Sequence, residues 1–261
     1  MVGESVGMVD LHNHILPELD DGAKSLEESI EMCWLSYRDG VRRIVATPHT
    51  LNGKYQNDRS TILAKVKELN DALICGSPGL RNPNSELKIL PGADVHFCEG
   101  ILPELDQGKL TTIGDGGKFL ILEFPFHVIP YWAEEVLFQL MARGVTPIIS
   151  HPERNLEIGQ RPQRYYQMIR KGCFGQVTAM SLMGGFGSKT RRVAEKLLTH
   201  RLLHFIASDA HSIEARPPIL SLAMRAAEKM LGGEEAWKMV NEYPQAIVEG
   251  RRPDVPEPIS M

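Results

Sequence analysis

Val9-Asp10-Leu11-His12-Asn13-His14 is the stretch of sequence that decides the fold, because the rest of the chain repeats its pattern. Its apolar start is typical of a buried strand, and the strand ends in two histidines one residue apart. Side chains alternate between the two faces of a strand, so His12 and His14 share a face and can reach one metal ion beyond the strand's end. The pair alone also fits a strand with two outward polar positions, and the later strands decide between the two interpretations.

Five later apolar runs also end in side chains that bind metals. The runs lie at 42–49, 87–94, 118–123, 145–151 and 203–211. Their terminal side chains are His49, Asp94, Glu123, His151, and Asp209 with His211. A seventh run, at 173–178, ends without such a side chain. Chance does not easily place these residue types at six corresponding strand ends, so we interpret them as one metal site.

Helical patterns separate the predicted strands. A capping box of Ser25 and Glu28 opens a helix that runs to Gly40. Further helices are predicted at about 58–74, 131–143, 162–171, 189–200, 218–231 and 234–240. Seven strands, most followed by a helix, predict parallel units that close into one α/β barrel, a single domain over residues 1–261. The carboxyl ends of the strands in such a barrel meet on one face, where these enzymes place their sites.

Composition narrows the class of protein. The 261 residues are 43% hydrophobic and 24% charged, as in an ordinary globular protein with a large core. A net charge of −4 gives no basic footprint for nucleic acid. No apolar run approaches the roughly 20 residues of a membrane span, and the N-terminus lacks the pattern of a signal peptide, so we expect a cytoplasmic protein without membrane insertion. The four cysteines are widely separated without C-x-x-C spacing, which argues against a disulfide framework or a structural zinc site.

The residue types indicate which metals fit. Five imidazoles with three or four carboxylates and no cysteine suit first-row divalent ions, with manganese expected first and iron or zinc as alternatives. Eight or nine ligands exceed what one ion accepts, so two or three ions are implied, with at least one bridging carboxylate. Ions clustered about 3.5–4 Å apart typically lower the pKa of a bridging water and polarise a phosphoryl oxygen.

The motifs D-L-H-N-H, T-P-H, P-G-A-D, L-E-F, S-H-P-E-R and S-D-A-H stand in the order found in a known superfamily. The chain resembles the PHP superfamily, named for polymerase and histidinol phosphatase. Within it, the chain is most similar to the metal-dependent bacterial protein-tyrosine phosphatases of capsule and exopolysaccharide loci. The resemblance runs from Val9 to about Arg216 and includes the segment L-D-D-G-A-K-S-L-E-E-S after the first motif.

The resemblance implies a distorted TIM-like (β/α)7 barrel with a centre of three metal ions. One ion would be held by His12, His14 and Asp209. A second would be held by His49, His211 and Asp21, with Asp20 as an alternative to Asp21. The third would be held by Glu123 and His151. The family usually has Glu where this chain has Asp94, the expected bridge between ions, and the shorter side chain changes the bridging geometry.

The resemblance also implies the reaction. Arg154 and Arg216 match arginines that bind phosphate, for which the planar guanidinium is suited. A metal-bridging hydroxide would attack phosphorus, and tyrosinate would leave readily because the phenol pKa is near 10. The implied substrate is a phosphotyrosine protein, with the tyrosine-rich tail of a bacterial tyrosine kinase as the natural partner in regulating polysaccharide production. Alternatives are a histidinol-phosphatase type of small-molecule phosphatase, a metal-dependent exonuclease and a non-catalytic binding module.

One motif in the sequence is also found in a different class of phosphatase. The segment 75–81 has the C-x5-R spacing of cysteine-dependent tyrosine phosphatases. In those enzymes the loop leads directly into a helix whose N-terminus lowers the thiol pKa. Here Cys75 follows a predicted helix, and Asn82-Pro83-Asn84 cannot begin another, so we expect no cysteine mechanism. His96 and His127 lie near ligand-bearing strand ends and could line the pocket, but we expect both in exposed loops.

Overall fold

The structure is a computed structural model that describes residues 7–76 and 86–261. The strands in this part of the chain are β1 (Met8–Asn13), β2 (Val41–Ala46), β3 (His49–Thr50), β4 (Lys88–Pro91), β5 (Asp94–His96), β6 (Phe119–Glu123), β7 (Thr146–Ser150), β8 (Phe174–Thr178) and β9 (Phe205–Ala207). The helices are α1 (Leu26–Arg38), α2 (Arg59–Cys75), α3 (Ile101–Asp106), α4 (Ala133–Ala142), α5 (Leu156–Gln160), α6 (Gln163–Arg170), α7 (Ala179–Met183), α8 (Gly187–Thr199), α9 (Ser221–Leu231), α10 (Gly233–Lys238) and α11 (Glu242–Val248).

The strands form two parallel sheets that are joined into a distorted barrel. Hydrogen bonds order them as β1-β2-β4 and as β3-β5-β6-β7-β8-β9. A parallel bridge between Asn13 and Ala210 connects β1 to the residues that follow β9. There, the Asp209 N–H donates to the His12 carbonyl at 2.8 Å and the His14 N–H donates to the Ala210 carbonyl at 2.9 Å. The predicted α/β fold with parallel strands is confirmed, and the seam between the two sheets lies next to the two histidines.

Two of the predicted strands are broken, which the sequence analysis did not foresee. The run at 42–49 forms β2 and then β3, which belong to different sheets. Pro48 stands at the break, and proline has no N–H to donate to a ladder. The run at 87–94 is divided in the same way into β4 and β5, at Pro91 and Gly92. A Cβ at Gly92 would lie 2.6 Å from Val45 Cγ1, so only glycine allows this approach.

Each break comes directly before a predicted metal ligand. β3 begins at His49 and β5 begins at Asp94, and these two residues are paired in the parallel ladder. The run at 203–211 is shorter as a strand than predicted, because β9 ends at Ala207. Asp209 and His211 therefore lie in the loop that leaves β9. The two strand breaks and the early end of β9 turn the chain so that His49, Asp94, Asp209 and His211 lie near one another.

The first two helices begin as their sequences predict. Ser25 is the N-cap of α1, and its Oγ accepts from the Glu28 N–H at 3.3 Å. The Glu28 carboxylate accepts from the Lys24 N–H rather than from that of Ser25, so the box is displaced by one residue. Asp58 caps α2 through the Thr61 N–H. In the two described segments, no helix is both long and apolar enough to cross a bilayer.

His204 is buried in the core on the side of the strands away from the ligands. Its Nδ1 accepts from the Gly175 N–H at 3.0 Å, and its ring lies edge-on to Phe174 at 5.2 Å between centroids. Burial, with a smaller contribution from the Arg252 charge, lowers the pKa of His204 to about 3. The folded protein therefore holds this imidazole neutral over the whole range in which an unfolded histidine becomes charged.

His204 should make stability fall in acid. Since its pKa is depressed in the folded state, its contribution is complete above about pH 6.5 and is lost as the pH falls from there toward 3. We expect His204→Asn, which keeps an acceptor for Gly175, to remove ~2 kcal/mol of the stability lost between pH 7 and pH 5. Urea unfolding of both proteins in the presence of a chelator measures this difference. Equal pH dependence of the two proteins would contradict the assignment.

Candidate metal centre

The predicted ligands converge at the carboxyl ends of the strands. Three groups have ligand atoms that all lie within 4.8 Å of one another. They are His14, Asp21, His49 and His211; His12, His14 and Asp209; and His49, Asp94 and Glu123. His14 and His49 each belong to two groups, so the three groups form one continuous set, called the ligand cluster here. His151 adjoins it, with its Nε2 3.4 Å from Glu123 Oε1.

The two histidines of β1 are oriented by their outer nitrogens. His12 Nδ1 lies 2.9 Å from Gln176 Oε1, and His14 Nδ1 lies 2.7 Å from Asp20 Oδ2. Acceptors at both Nδ1 atoms favour the tautomer with a lone pair on Nε2, the arrangement usual for metal-binding histidines. The two Nε2 atoms are 3.1 Å apart, and Asp209 Oδ1 lies 3.6 Å and 3.5 Å from them. Three donor atoms thus face one point inside the protein.

The structure distinguishes the roles of the two neighbouring aspartates. Besides holding His14, Asp20 accepts from the Gly22 and His49 backbone N–H groups, both at 2.9 Å. Its oxygens are therefore committed to the protein. Asp21 is 55% exposed, and its Oδ1 lies 3.6 Å from His49 Nε2 and 3.7 Å from the corresponding atom of His211. Asp21 is available as a ligand, whereas Asp20 orients the imidazole.

Asp94 and His49 give the strongest indication that the ligand cluster is suited to a cation. Asp94 Oδ2 and His49 Nδ1 are 3.1 Å apart, yet in the described part of the chain neither atom makes a hydrogen bond. Buried polar atoms without partners are costly, and a divalent ion would satisfy both. The other Asp94 oxygen accepts from Ser150 Oγ at 3.2 Å. Imidazole nitrogens and carboxylate oxygens are suitable donors for first-row divalent ions, so the residues present fit such metals.

The pKa shifts of three residues in the ligand cluster also fit a site for cations. Burial would lower the pKa of His14, but the charge and hydrogen bond of Asp20 raise it to about 10. Burial would raise the pKa of Asp209, yet the His12 charge and the His14 hydrogen bond hold it well below its usual range. For His211, burial and the His14 charge lower the pKa to about 2. His14 thus carries a proton that a metal ion would replace, so metal affinity should weaken as the pH falls.

Backbone strain occurs at two ligand positions. His151 and Asp209 have φ values of 32° and 52°, in the region that side chains other than glycine rarely adopt. Such conformations persist where surrounding contacts determine them, and they are frequent at functional sites. His151 directly follows β7 and Asp209 lies two residues after the end of β9, where the chain must turn to bring the side chain inward.

The two predicted phosphate-binding arginines meet at Asp209. Arg154 ends a 3-10 turn, Pro152–Arg154, after β7, and Arg216 lies in the loop after His211. Their Nη atoms lie 3.0 Å and 2.5 Å from Asp209 Oδ2. The side chains are 25% and 22% exposed, so an anion can reach them. Asp209 therefore faces the histidines with one oxygen and the guanidinium groups with the other.

Phe186 supports both arginines, and nothing in the sequence singled it out. The guanidinium carbons lie 4.6 Å (Arg154) and 5.7 Å (Arg216) from the centre of its ring. An aromatic face attracts cations, so it offsets part of the repulsion between two guanidinium groups that share one oxygen. Phe186 is half-buried at the start of α8 and fixes one side of the anion-binding pair.

Other supporting residues were also missed by the sequence analysis. The strand at 173–178 carries no ligand, as predicted, but its Gln176 orients His12. Asp10 is buried and accepts from the Ser208 N–H at 2.9 Å and from Ser208 Oγ at 2.5 Å, which ties β1 to the residue before Asp209. Asp10 lies two residues before His12 on the same strand face, a spacing that could have identified it.

The position of His96 differs from the one expected from the sequence. His96 was predicted to be an exposed loop residue, which is wrong: it is the last residue of β5, 29% exposed, with its Nδ1 3.4 Å from Glu123 Oε2. It lines a pocket shared with Glu123 and Arg154.

His127 is exposed, as predicted. Cys75 is the exposed last residue of α2, at the helix end that disfavours a thiolate, and Arg81 lies outside the described residues.

Comparisons with known proteins agree with the motif analysis. The family model for capsular polysaccharide synthesis, CpsB/CapC, matches residues 8–249. Tyrosine-protein phosphatase YwqE of Bacillus subtilis is 37% identical over 227 residues, which cover 87% of this chain and 86% of that protein. Tyrosine-protein phosphatase CpsB of Streptococcus pneumoniae is 28% identical over 246 residues, or 92% of this chain and 98% of that protein.

Solved structures show the same likeness. One from a study of YwqE from Bacillus subtilis and CpsB from Streptococcus pneumoniae, described as unique metal-dependent tyrosine phosphatases, matches with a TM-score of 0.90 and 33% identity. The match covers 97% of this chain and 99% of that one. The phosphotriesterase homology protein of Escherichia coli matches with a TM-score of 0.54 and 12% identity over 92% of this chain and 97% of that one, a likeness of fold alone.

Asp94 should be required for full metal loading. In Asp94→Asn, a neutral amide replaces the charge that faces His49, so we expect Mn²⁺ affinity to fall at least about tenfold, as for disrupted ligand shells. Elemental analysis after equilibration with Mn²⁺ measures the change. Asp106→Asn is the matched control, because Asp106 is an exposed partner of Arg143. Equal metal content of the two variants at limiting Mn²⁺ would contradict the role of Asp94.

Phe186 should support anion binding without affecting metal binding. We expect Phe186→Leu to weaken inorganic phosphate binding to the Mn²⁺-loaded protein by about fivefold to tenfold, since two cation–π contacts are lost. Phe186→Tyr keeps the ring and should bind phosphate like the wild-type protein. Isothermal titration calorimetry measures the affinity, and elemental analysis checks that the metal content is unchanged. Unaltered phosphate affinity in the leucine variant would refute this role.

Proposed function

The chain belongs to the CpsB/CapC family of capsular polysaccharide synthesis, and we propose that it is a metal-dependent protein-tyrosine phosphatase. The observation that carries the proposal is the division of Asp209 between two kinds of partner. Oδ1 faces the nitrogens of His12 and His14, and Oδ2 accepts a hydrogen bond from Arg154 and forms an ion pair with Arg216. A metal cluster and an anion site therefore share one carboxylate, which is the arrangement needed to hydrolyse a phosphate ester.

The ligand cluster would hold two or three divalent ions, with manganese expected first and iron or zinc as alternatives. The ligand groups proposed for them are His12, His14 and Asp209; Asp21, His49 and His211; and Glu123 and His151, with Asp94 as the expected bridge. His14 is assigned to one ion, because Asp20 holds its Nδ1 and only its Nε2 is free. His151 is kept as the partner of Glu123, because its Nε2 lies 3.4 Å from that carboxylate, closer than His49 Nδ1 at 3.9 Å. When bound, such ions act as Lewis acids and lower the pKa of an attacking water.

The chain's own residues would bind and orient the phosphoryl group. Arg154 and Arg216 present guanidinium N–H groups to the phosphoryl oxygens, and they stabilise the charge that develops on those oxygens. Their contacts with Asp209 and Phe186 position them before substrate arrives, so little ordering is needed on binding. A tyrosinate leaving group needs less protonation than a serine alkoxide, because the phenol pKa is near 10.

The substrate class follows from the relatives. YwqE and CpsB carry the name tyrosine-protein phosphatase, which supports a phosphotyrosine protein as the substrate. Because the family is one of capsular polysaccharide synthesis, we include in the proposal a specific partner, the tyrosine-rich tail of a bacterial tyrosine kinase. A cytoplasmic location, where such a tail would be presented, is part of the same proposal.

A panel of substrates tests the proposal. The Mn²⁺-loaded protein should hydrolyse a phosphotyrosine peptide with a kcat/KM at least about tenfold above those for a phosphoserine peptide and histidinol phosphate, since the aryl leaving group is the better one. Single-stranded DNA should not be cleaved. Arg154→Ala should lower kcat/KM by about 100-fold because a transition-state contact is lost. Cys75→Ser, at an exposed helix end away from the cluster, is the control and should retain full activity.

A preference for histidinol phosphate, or nuclease activity, would refute the proposed substrate. Loss of activity in Cys75→Ser would instead refute the metal-dependent mechanism in favour of a cysteine nucleophile. Activity that survives complete metal removal by a chelator would also contradict the mechanism.

A further inference from the structure

An exposed apolar surface borders the pocket that contains Arg154. It is formed by Phe126, Val128 and Tyr131, which are 54%, 47% and 90% exposed. We call this surface the apolar rim. In the described part of the chain, eight large hydrophobic residues are strongly exposed, and three of them lie in the six-residue segment 126–131. Clustered exposed apolar side chains commonly mark binding surfaces.

Hydrogen bonds hold the backbone of the rim in place. The Phe126 carbonyl accepts from the Leu156 N–H at 2.9 Å, and Asn155 Nδ2 donates to the preceding Pro125 carbonyl at 2.8 Å. Arg164 donates to the Ile129 carbonyl at 2.9 Å and to the next carbonyl, of residue 130, at 3.0 Å. Because these contacts direct the carbonyl groups inward, the rim side chains are kept on the outside by the fold.

The rim is continuous with the proposed phosphate site. Its segment leaves β6 directly after Glu123, and Phe126 lines the same pocket as Glu123, His151 and Arg154. The hydrogen bonds to Asn155 and Leu156 also fix Phe126 against the loop that carries Arg154. Val128 and Tyr131 follow Phe126 in the same exposed segment.

The chemistry of the surface changes along its length. Guanidinium groups lie at the pocket end, whereas residues 124–132 contain no Lys, Arg, Asp or Glu. A complementary ligand is therefore anionic at one end and apolar beside it. We propose that the apolar rim binds an apolar or aromatic side chain adjacent to the phosphotyrosine of the substrate peptide. This inference rests on the proposed function and adds a sequence preference to it.

Two phosphopeptides that differ only beside the phosphotyrosine test the inference. One carries leucine or phenylalanine at the flanking positions and the other carries serine, and free phosphotyrosine serves as a substrate too small to reach past Phe126. For the Mn²⁺-loaded wild-type protein, we expect kcat/KM to be about tenfold higher with the apolar peptide than with the serine peptide, through a lower KM.

The double variant Val128→Ser with Tyr131→Ser should abolish this preference. Its kcat/KM should fall about tenfold for the apolar peptide and stay at the wild-type value for free phosphotyrosine and the serine peptide. Phe138→Ser is the matched control, because Phe138 is 63% exposed on α4 and lines a different pocket. It should preserve the peptide preference.

Other outcomes overturn the inference in distinguishable ways. An equal loss on all three substrates would show that the rim supports the fold or the chemistry instead of the peptide. Unchanged kinetics, with a change in oligomeric state on size-exclusion chromatography, would show that a second copy of the chain covers the rim. If the wild-type protein hydrolysed none of the three substrates, the proposed function would fail and the inference with it.

Discussion

Asp209 is the side chain on which the rest of the site depends, because its two oxygens serve different halves of the chemistry. One oxygen lies within 3.6 Å of the paired β1 histidines, and the other forms ion pairs with two arginines. Thr178 donates to the second oxygen as well, at 3.1 Å, so the carboxylate cannot rotate freely. The proposed metal and phosphate sites are thereby joined through one rigid carboxylate.

The barrel holds this carboxylate by closing next to it. Asp10 joins β1 to Ser208, and the backbone of Asp209 is hydrogen-bonded to His12. The first and last strands of the fold are therefore fixed against each other within two residues of the cluster. The positive φ angle of Asp209 shows that the chain adopts a disfavoured conformation there, which the surrounding hydrogen bonds maintain.

The proximity of the residues in the ligand cluster could be predicted from the sequence, because His, Asp and Glu at the ends of apolar runs are an unusual pattern with a simple geometric meaning. Residues that orient the ligands were not found, since Gln176 and Phe186 are ordinary residue types whose roles depend on contacts far along the chain. The breaks at Pro48 and Pro91 were missed because each run was interpreted as one strand that continues to its terminal ligand. The short helices α3 and α11 lack a periodic pattern long enough to predict.

The central claim is that the ligand cluster holds divalent ions that share Asp94 and Asp209 with the surrounding histidines. Anomalous diffraction at the manganese absorption edge, from crystals grown with Mn²⁺, tests this most directly. The account predicts two or three peaks inside the cluster, one of them in contact with His12, His14 and Asp209. An absence of peaks among these residues at saturating Mn²⁺, or peaks only elsewhere on the protein, would contradict it.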